Sequence, residues 1–335
     1  MLKLYYTDPP GTENAVSHQD ISNYVIHAAW SGDTDQAARK LEFTIAYNTV
    51  ERDAAFLPLN LQLGGVIEAS EVDETDATET PIFVGRIFFR KRASDSFTFE
   101  FTCYDNMVYL AKSNIRANFK DIDVTSAIKQ VCGSIGLETA DSIPSIPTVV
   151  NFIADDKSGT EVLKMLFDKA KTDQGKDYRA ISINEKIAVV EKSETVENYI
   201  ADSSVNVISA EHSESLEDMV DKVVAVNDDG SVGQIFTTDD EIGKYGTIQK
   251  IYKIQPPKSG ESVDNVTAAK ALLKAPKEES SLKALGNIQC ISGYAITVQE
   301  EQLKGKFTIK SDTHHFENGI HTMDLTLEYI GETEK

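Results

Sequence analysis

Residues 305–328, GKFTIKSDTHHFENGIHTMDLTLE, constrain the fold more than any other part of this sequence. Lys306, Phe307, Thr308 and Ile309 alternate polar and apolar side chains, the period-two pattern of a strand with one buried face. Met323, Leu325, Leu327 and Tyr329 repeat that pattern against Asp324, Thr326 and Glu328. Between the two runs, Asn318-Gly319 supplies residues that tolerate positive φ. The segment predicts an antiparallel hairpin around a polar turn, and three of the six histidines fall within it.

Asp312, His314, His315 and His321 would then gather at the hairpin tip, which raises zinc binding or acid–base chemistry. Adjacent strand residues point to opposite faces, so His314 and His315 cannot both reach one ion without a bulge. No cysteine or HExxH helix accompanies them, and the reading favoured is a structural turn with no metal and no cofactor. Cys103 lies in the alternating run Phe101-Thr102-Cys103-Tyr104, where a buried structural thiol is the default and a nucleophile would need an activating base. Carboxylates are plentiful enough to leave a glycan-cleaving pair open. The sequence has no GxSxG elbow, P-loop or Rossmann glycine pattern, so no residue is assigned a catalytic role.

Chain length and charge narrow the function classes. At 335 residues the chain exceeds one comfortable core and predicts two or three domains. The hydrophobic fraction of 41% suits globular folding. No apolar run approaches the ~20 residues that span a bilayer, so a soluble protein without membrane insertion is expected. The first residues, MLKLYYTDPPGTEN, lack the apolar core and small-residue site of a secretion signal. Three scattered cysteines form neither a disulfide framework nor a zinc pattern, which fits a reduced, intracellular origin. A net charge of -21 argues against nucleic-acid binding, which relies on clustered Lys and Arg.

The chain divides into three parts. Residues 1–112 carry strand signals, with Leu41, Phe43 and Ile45 and then Phe97, Phe99 and Phe101 on alternate positions, and they read as an antiparallel barrel. Within it Glu71 to Thr80 is acidic and nearly free of large apolar side chains, as in a solvated loop. Residues 113–201 read as a small α/β domain. Val124 to Ile135 and Thr160 to Lys171 have helical spacing, with Ser158 available as a cap. Ser142 to Pro147 breaks regular structure, and Tyr178 to Ile183 and Lys186 to Glu191 form a hairpin about Asn184-Glu185. Residues 202–335 return to strands, at Val220 to Val226 and Tyr294 to Gln299, with a turn at Asp228-Asp229-Gly230. A loop at Gln255 to Glu261 leads to a helix at Asn265 to Lys274, capped by Asp264 and stopped by Pro276, which makes a helical insertion near 264–276.

The pattern G-x-F-x-I-x-S-D-T-H-x-x-x-x-G-x-H-T-M-x-L-x-L, from Gly305 to Leu327, resembles the C-terminal signature of the XkdQ/YqbQ family. These are baseplate hub proteins of contractile phage tails, PBSX-like prophages and R-type bacteriocins. Trp30-Ser31-Gly32-Asp33 with Ala38 to Phe43 is similar to the family's early strand motif. Phe83 to Ile87, Phe99 to Asn106, Tyr109 to Lys112, Ser215 to Val220, Lys244 to Gly246, Gly286-Asn287 and Cys290 to Gly293 follow in family order.

The resemblance implies a mainly β protein with α+β character, having two tube-protein-like antiparallel β-barrel domains and a small α/β domain. It implies a structural baseplate hub, a homotrimeric ring that joins the central spike to the tail tube, initiates tube assembly and contacts other baseplate proteins. Three copies of two barrels would offer six quasi-equivalent surfaces to the tube and three to the spike. DNA would be only cargo passing an axial channel, which an acidic wall would not retain. The protein would assemble in the bacterial cytoplasm and end in the baseplate of the tail or phage-like particle. The matching motif or interface positions are Trp30, Gly32, Arg39, Asp312, His314, Gly319 and His321. Trp30, the single tryptophan, suits an interface hot spot or the core equally. The alternative is a tail-associated cell-wall hydrolase or a peptidoglycan-binding protein.

Overall fold

The computed structural model describes residues 1–46, 60–73, 75–92, 97–256, 264–301 and 303–332. The fold is mainly β, and the chain forms two compact units, residues 1–210 with 281–335, and residues 211–280.

The larger unit is organised by a 13-stranded sheet. From one edge the order is Gln19–Asp20, Leu2–Thr7, Val66–Val72, Glu79–Arg92, Thr98–Tyr104, Lys40–Ala46 and Val25–Asp33. It continues without a break into Lys304–Glu317 and Ile320–Gly331, strands from the other end of the sequence, and then into Lys277–Leu285 and Val207–Ser215. The join is antiparallel, with Gly32 opposite Asp312, Trp30 opposite His314 and Ala28 opposite Phe316. Thr195–Asp202 and Ala295–Gln299 extend the sheet beside Lys304–Glu317. Two apolar clusters lie along it. One gathers Leu41, Phe43, Ile67 and Phe101 from the early strands and takes in Phe316 from the late hairpin. The other is built from Ile296, Phe307, Ile309, Met323 and Leu325.

The middle of the chain packs a third cluster between helices and short sheets. The helix Gly159–Gln174 begins with a capping box, in which Ser158 and Glu161 satisfy each other's backbone N–H groups. It ends at Gly175, in the left-handed region at φ 74°. The helix Val124–Ser134 starts in the same way, with the Asp123 side chain accepting from the Ser126 N–H. The hairpin Tyr178–Ile183 with Lys186–Glu191 turns at Asn184 and Glu185, both at positive φ.

Several elements differ from the sequence expectations. The first strand of the late hairpin runs to Glu317 and the second begins at Ile320, so the turn is Asn318-Gly319 alone. Asp312, His314 and His315 therefore lie within a strand and not in a polar turn. Their facing within that strand is set by a register shift between Ile309 and Ser311. A bulge adds one residue and inverts the alternation. Phe307 and Ile309 face inward before it, and Asp312, His314 and Phe316 after it.

Tyr109 to Lys112, expected as the end of the first barrel, forms part of a helix, Met107–Lys112, whose Met107 and Leu110 join the middle cluster. Strands Asn114–Asp123 and Val149–Ser158 were unexpected; two register shifts break their alternation. The acidic stretch is shorter than expected, since strands continue to Val72 and resume at Glu79. Within it Glu74 lies outside the described residues, as do residues 257–261 of the expected Gln255 to Glu261 loop.

The smaller unit holds the strands Val232–Thr237, Lys222–Val226 and Gln249–Lys253 in that order, with the helices Asp239–Tyr245 and Asn265–Lys270. The second helix ends four residues before the expected Lys274. Lys274 instead exchanges backbone hydrogen bonds with Val220 at 2.9 Å each way, so tertiary pairing overrides the helical propensity of Leu272 to Lys274.

Candidate functional site

Strand pairing brings six of the seven motif positions together around one buried ion pair. Arg39 leads into the strand Lys40–Ala46, and Asp312 sits after the bulge of the late hairpin. Arg39 donates through Nη1 to Asp312 Oδ1 at 3.0 Å and through Nη2 to Asp312 Oδ2 at 2.5 Å. This two-pronged geometry suits a planar guanidinium. Both residues are buried. Trp30 is 3% exposed, within the core and not on a surface, and its ring lies 4.0 Å from the guanidinium carbon. Arg39 is thus held by a carboxylate and an aromatic face together.

Gly32 leaves the lane that the arginine uses. A Cβ built on it would lie 2.2 Å from Arg39 Nη1 and 2.8 Å from Cζ. Gly319, the seventh position, is set apart in the hairpin turn at φ 77°.

The pair anchors a wider network. Ser292 N–H donates to Asp312 Oδ1 at 2.6 Å, and Arg179, from the Tyr178–Ile183 strand, donates to the Ser292 carbonyl. Early strands and late hairpin therefore meet at one carboxylate, and the middle hairpin joins them through Ser292. His314 Nε2 lies 3.2 Å from the Cys290 carbonyl and 3.4 Å from Asp312 Oδ2, both acceptors, and so must be the donor. Its Nδ1 lies 3.0 Å from His321 Nε2, and His321 Nδ1 lies 2.7 Å from Glu71 Oε1. His315 points away from this chain and meets Asp324 at 3.0 Å.

Burial opposes ionisation of Asp312, but the Arg39 charge and the hydrogen bonds from His314 and Arg39 outweigh it and hold this carboxyl far below the ordinary range. Burial lowers His314 despite its bond to Asp312, which keeps the ring neutral beside the arginine. Burial likewise pushes the Cys103 thiol far above its ordinary value, which keeps it from acting as a thiolate.

Asp105 clamps the Arg39 backbone, accepting from Arg39 N–H at 3.2 Å and from Met107 N–H at 3.0 Å. Burial raises its carboxyl from 3.8 to about 7, against those two backbone bonds. A raised acid binds its proton more tightly when folded, so this contribution to stability is present below about pH 4 and is lost as pH rises through about 7. Asp105→Asn should therefore gain on the wild type as pH rises from about 4 to about 8, read from urea midpoints across that range. Parallel pH curves for the two proteins would refute this.

Sequence reasoning missed Glu71 and Arg179, and it covered Asp105 and Ser292 only as members of the family-like segments Phe99 to Asn106 and Cys290 to Gly293. The faint signal was Gly286, within a family-like segment, where a Cβ would strike the His321 ring at 2.1 Å. Among the described residues no cluster of His, Cys, Asp and Glu has the arrangement to hold a metal ion. No described helix is long and apolar enough to cross a membrane. The network joins strands through the Arg39–Asp312 pair and its hydrogen bonds, with Arg39 Nε and Trp30 Nε1 buried and unpartnered among the described residues, and it acts as a lock for the fold.

Comparison with known proteins gives matches over most of the chain. The phage-like element PBSX protein XkdQ of Bacillus subtilis (strain 168) is 22% identical over 253 residues, 73% of this chain and 77% of that protein. In fold the chain is similar to the 43 kDa tail protein of prophage MuSo2 from Shewanella oneidensis, with a TM-score of 0.63 at 12% identity over 98% of each chain. It is also similar to the c3393 protein of E. coli, with a TM-score of 0.51 at 12% identity over 92% of this chain and 74% of that one. The YQBQ-like family matches residues 28–328, a span that contains both Arg39 and Asp312 and the strands they tie together, and the chain belongs to that family.

Proposed function

We propose that this protein is the structural hub of a contractile-tail baseplate, a homotrimeric ring that joins a central spike to the tail tube and starts tube assembly. The observation that carries this reading is the unbroken sheet from the early strands into the late hairpin, closed by the Arg39–Asp312 pair. A part that passes thrust from a tube to a spike must resist shear between its segments. Interstrand hydrogen bonds in one continuous sheet share such a load, and a buried ion pair at the join adds a contact that cannot slip in register.

The relatives support the reading. XkdQ is a protein of a phage-like element. The c3393 protein is described as a component of the type VI secretion system with structural similarity to the T4 tail proteins gp27 and gp5. The role is recognition, without catalysis: His314, His321 and Asp312 are spent on one another, and Cys103 is buried in the core. With a net charge of -21, DNA passes the ring as cargo and is not held.

Light scattering on the purified protein, alone and with the spike protein encoded beside it, tests this. A trimer in either condition is expected. A monomer in both, with no spike bound, would overturn the hub.

A further inference from the structure

Within the smaller unit the three-stranded sheet has one face packed on a helix and a second face that is partly exposed. Val223, Ala225 and Phe236 turn toward the helix that carries Ala269 and form the unit's core. On the other face Ile235, Val224 and Ile251 stand side by side across the strands, by the register that pairs Val224 with both isoleucines. Ile235 is 50% exposed and Ile251 63%, while Val224 between them is 8% exposed. Lys222 lies two residues before Val224, and Val226, two residues after it, is paired with Lys253, so both lysines flank this apolar row. The three strands carry Lys222, Lys250 and Lys253 and no Asp or Glu, in a chain with 54 acidic and 33 basic residues.

The same unit contains a segment of opposite character. The helix Asp239–Tyr245 opens with Asp239, Asp240 and Glu241 and buries none of its seven residues. Tyr245 is exposed. Helices shorter than about 12 residues are marginal in water unless an apolar face is packed. This helix therefore gains most from a surface that accepts Ile242 and Tyr245 and carries positive charge.

We propose that the lysine-flanked sheet face of one copy receives the acidic helix Asp239–Tyr245 of a second copy. The contact joins unlike patches, so it suits a head-to-tail ring or, reciprocated, a two-fold pair. It rests on the hub reading only in that copies meet.

Carbodiimide coupling of a mixture of unlabelled and nitrogen-15-labelled full-length chains tests it. Mixed-mass peptides joining Lys222 or Lys253 to Asp239, Asp240 or Glu241 are expected. Same-mass pairs alone would place the helix on its own chain and overturn the proposal, as would absence of these pairs. Ile235→Glu with Ile251→Glu, both at exposed positions, should weaken self-association about tenfold or more by sedimentation velocity. A trimer with unchanged affinity in that variant would sink this surface and leave the hub standing. A chain that stays monomeric with and without the spike protein would sink the hub itself.

Discussion

Asp312→Ala is expected to lower the unfolding free energy by about 3–5 kcal/mol, the cost of removing one partner from a buried pair. Alanine would leave the Arg39 guanidinium in a buried site with no carboxylate, and would take an acceptor from Ser292 N–H. Against the total of about 5–15 kcal/mol typical of a domain, this is a large fraction. Urea unfolding near neutral pH reads it directly as a lower midpoint. The apolar pair Arg39→Met with Asp312→Leu should recover part of the loss, because both charges leave together while Ser292 N–H still lacks its acceptor. The acid limb has a definite sign. The folded carboxyl is depressed, so its contribution is present above about pH 4 and is lost only as pH falls through the low folded value. A loss below about 1 kcal/mol for Asp312→Ala would mean that water reaches the arginine and that the join is not locked here.

What could be read from the sequence was local. Asn318-Gly319 and Asn184-Glu185 mark their turns because both residues of each adopt positive φ, a demand visible in residue type or in the flanking alternation. Ser158 and Glu161 mark a helix start because their spacing satisfies two backbone donors reciprocally. Asp312 and His314 were legible as a motif, but their place was misread. Counting by twos from Phe307 sends them to solvent, and only the bulge past Ile309 returns them to the core. The same difficulty hid Asn114–Asp123 and Val149–Ser158, whose irregular register spoils any fixed period.

The partners of the lock were beyond local reading. Arg39 and Asp312 are 273 residues apart, Glu71 and His321 are 250 apart, and Arg179 reaches Ser292 from a hairpin that has its own core. None of these pairings has a periodicity that links its ends. They follow from the docking of Val25–Asp33 against Lys304–Glu317, which is decided by the fit of two apolar clusters and not by either strand alone.

Gly32→Ala should be nearly as damaging as removal of Asp312, and for a separable reason. Unlike the turn glycine Gly319, Gly32 has no positive φ, so alanine costs it no backbone strain. Its effect is steric, because the new methyl would stand where Arg39 Nη1 lies and push the guanidinium off Asp312 and off the Trp30 ring. The expected loss approaches the ~3–5 kcal/mol of the broken pair. A double-mutant cycle isolates this cause. In the Arg39→Met, Asp312→Leu background, the flexible methionine can move aside, so Gly32→Ala should cost about 1 kcal/mol or less, a coupling of about 2 kcal/mol or more. Equal costs in the two backgrounds would show that the glycine answers to the neighbouring strand and not to the arginine. Because Gly32 stands directly opposite Asp312 in the sheet, the cycle also tests whether the pair and the strand register are one device. If they are, substituting a single hydrogen on the early strand disturbs the late hairpin's carboxylate and the network of Ser292, His314 and His321 behind it.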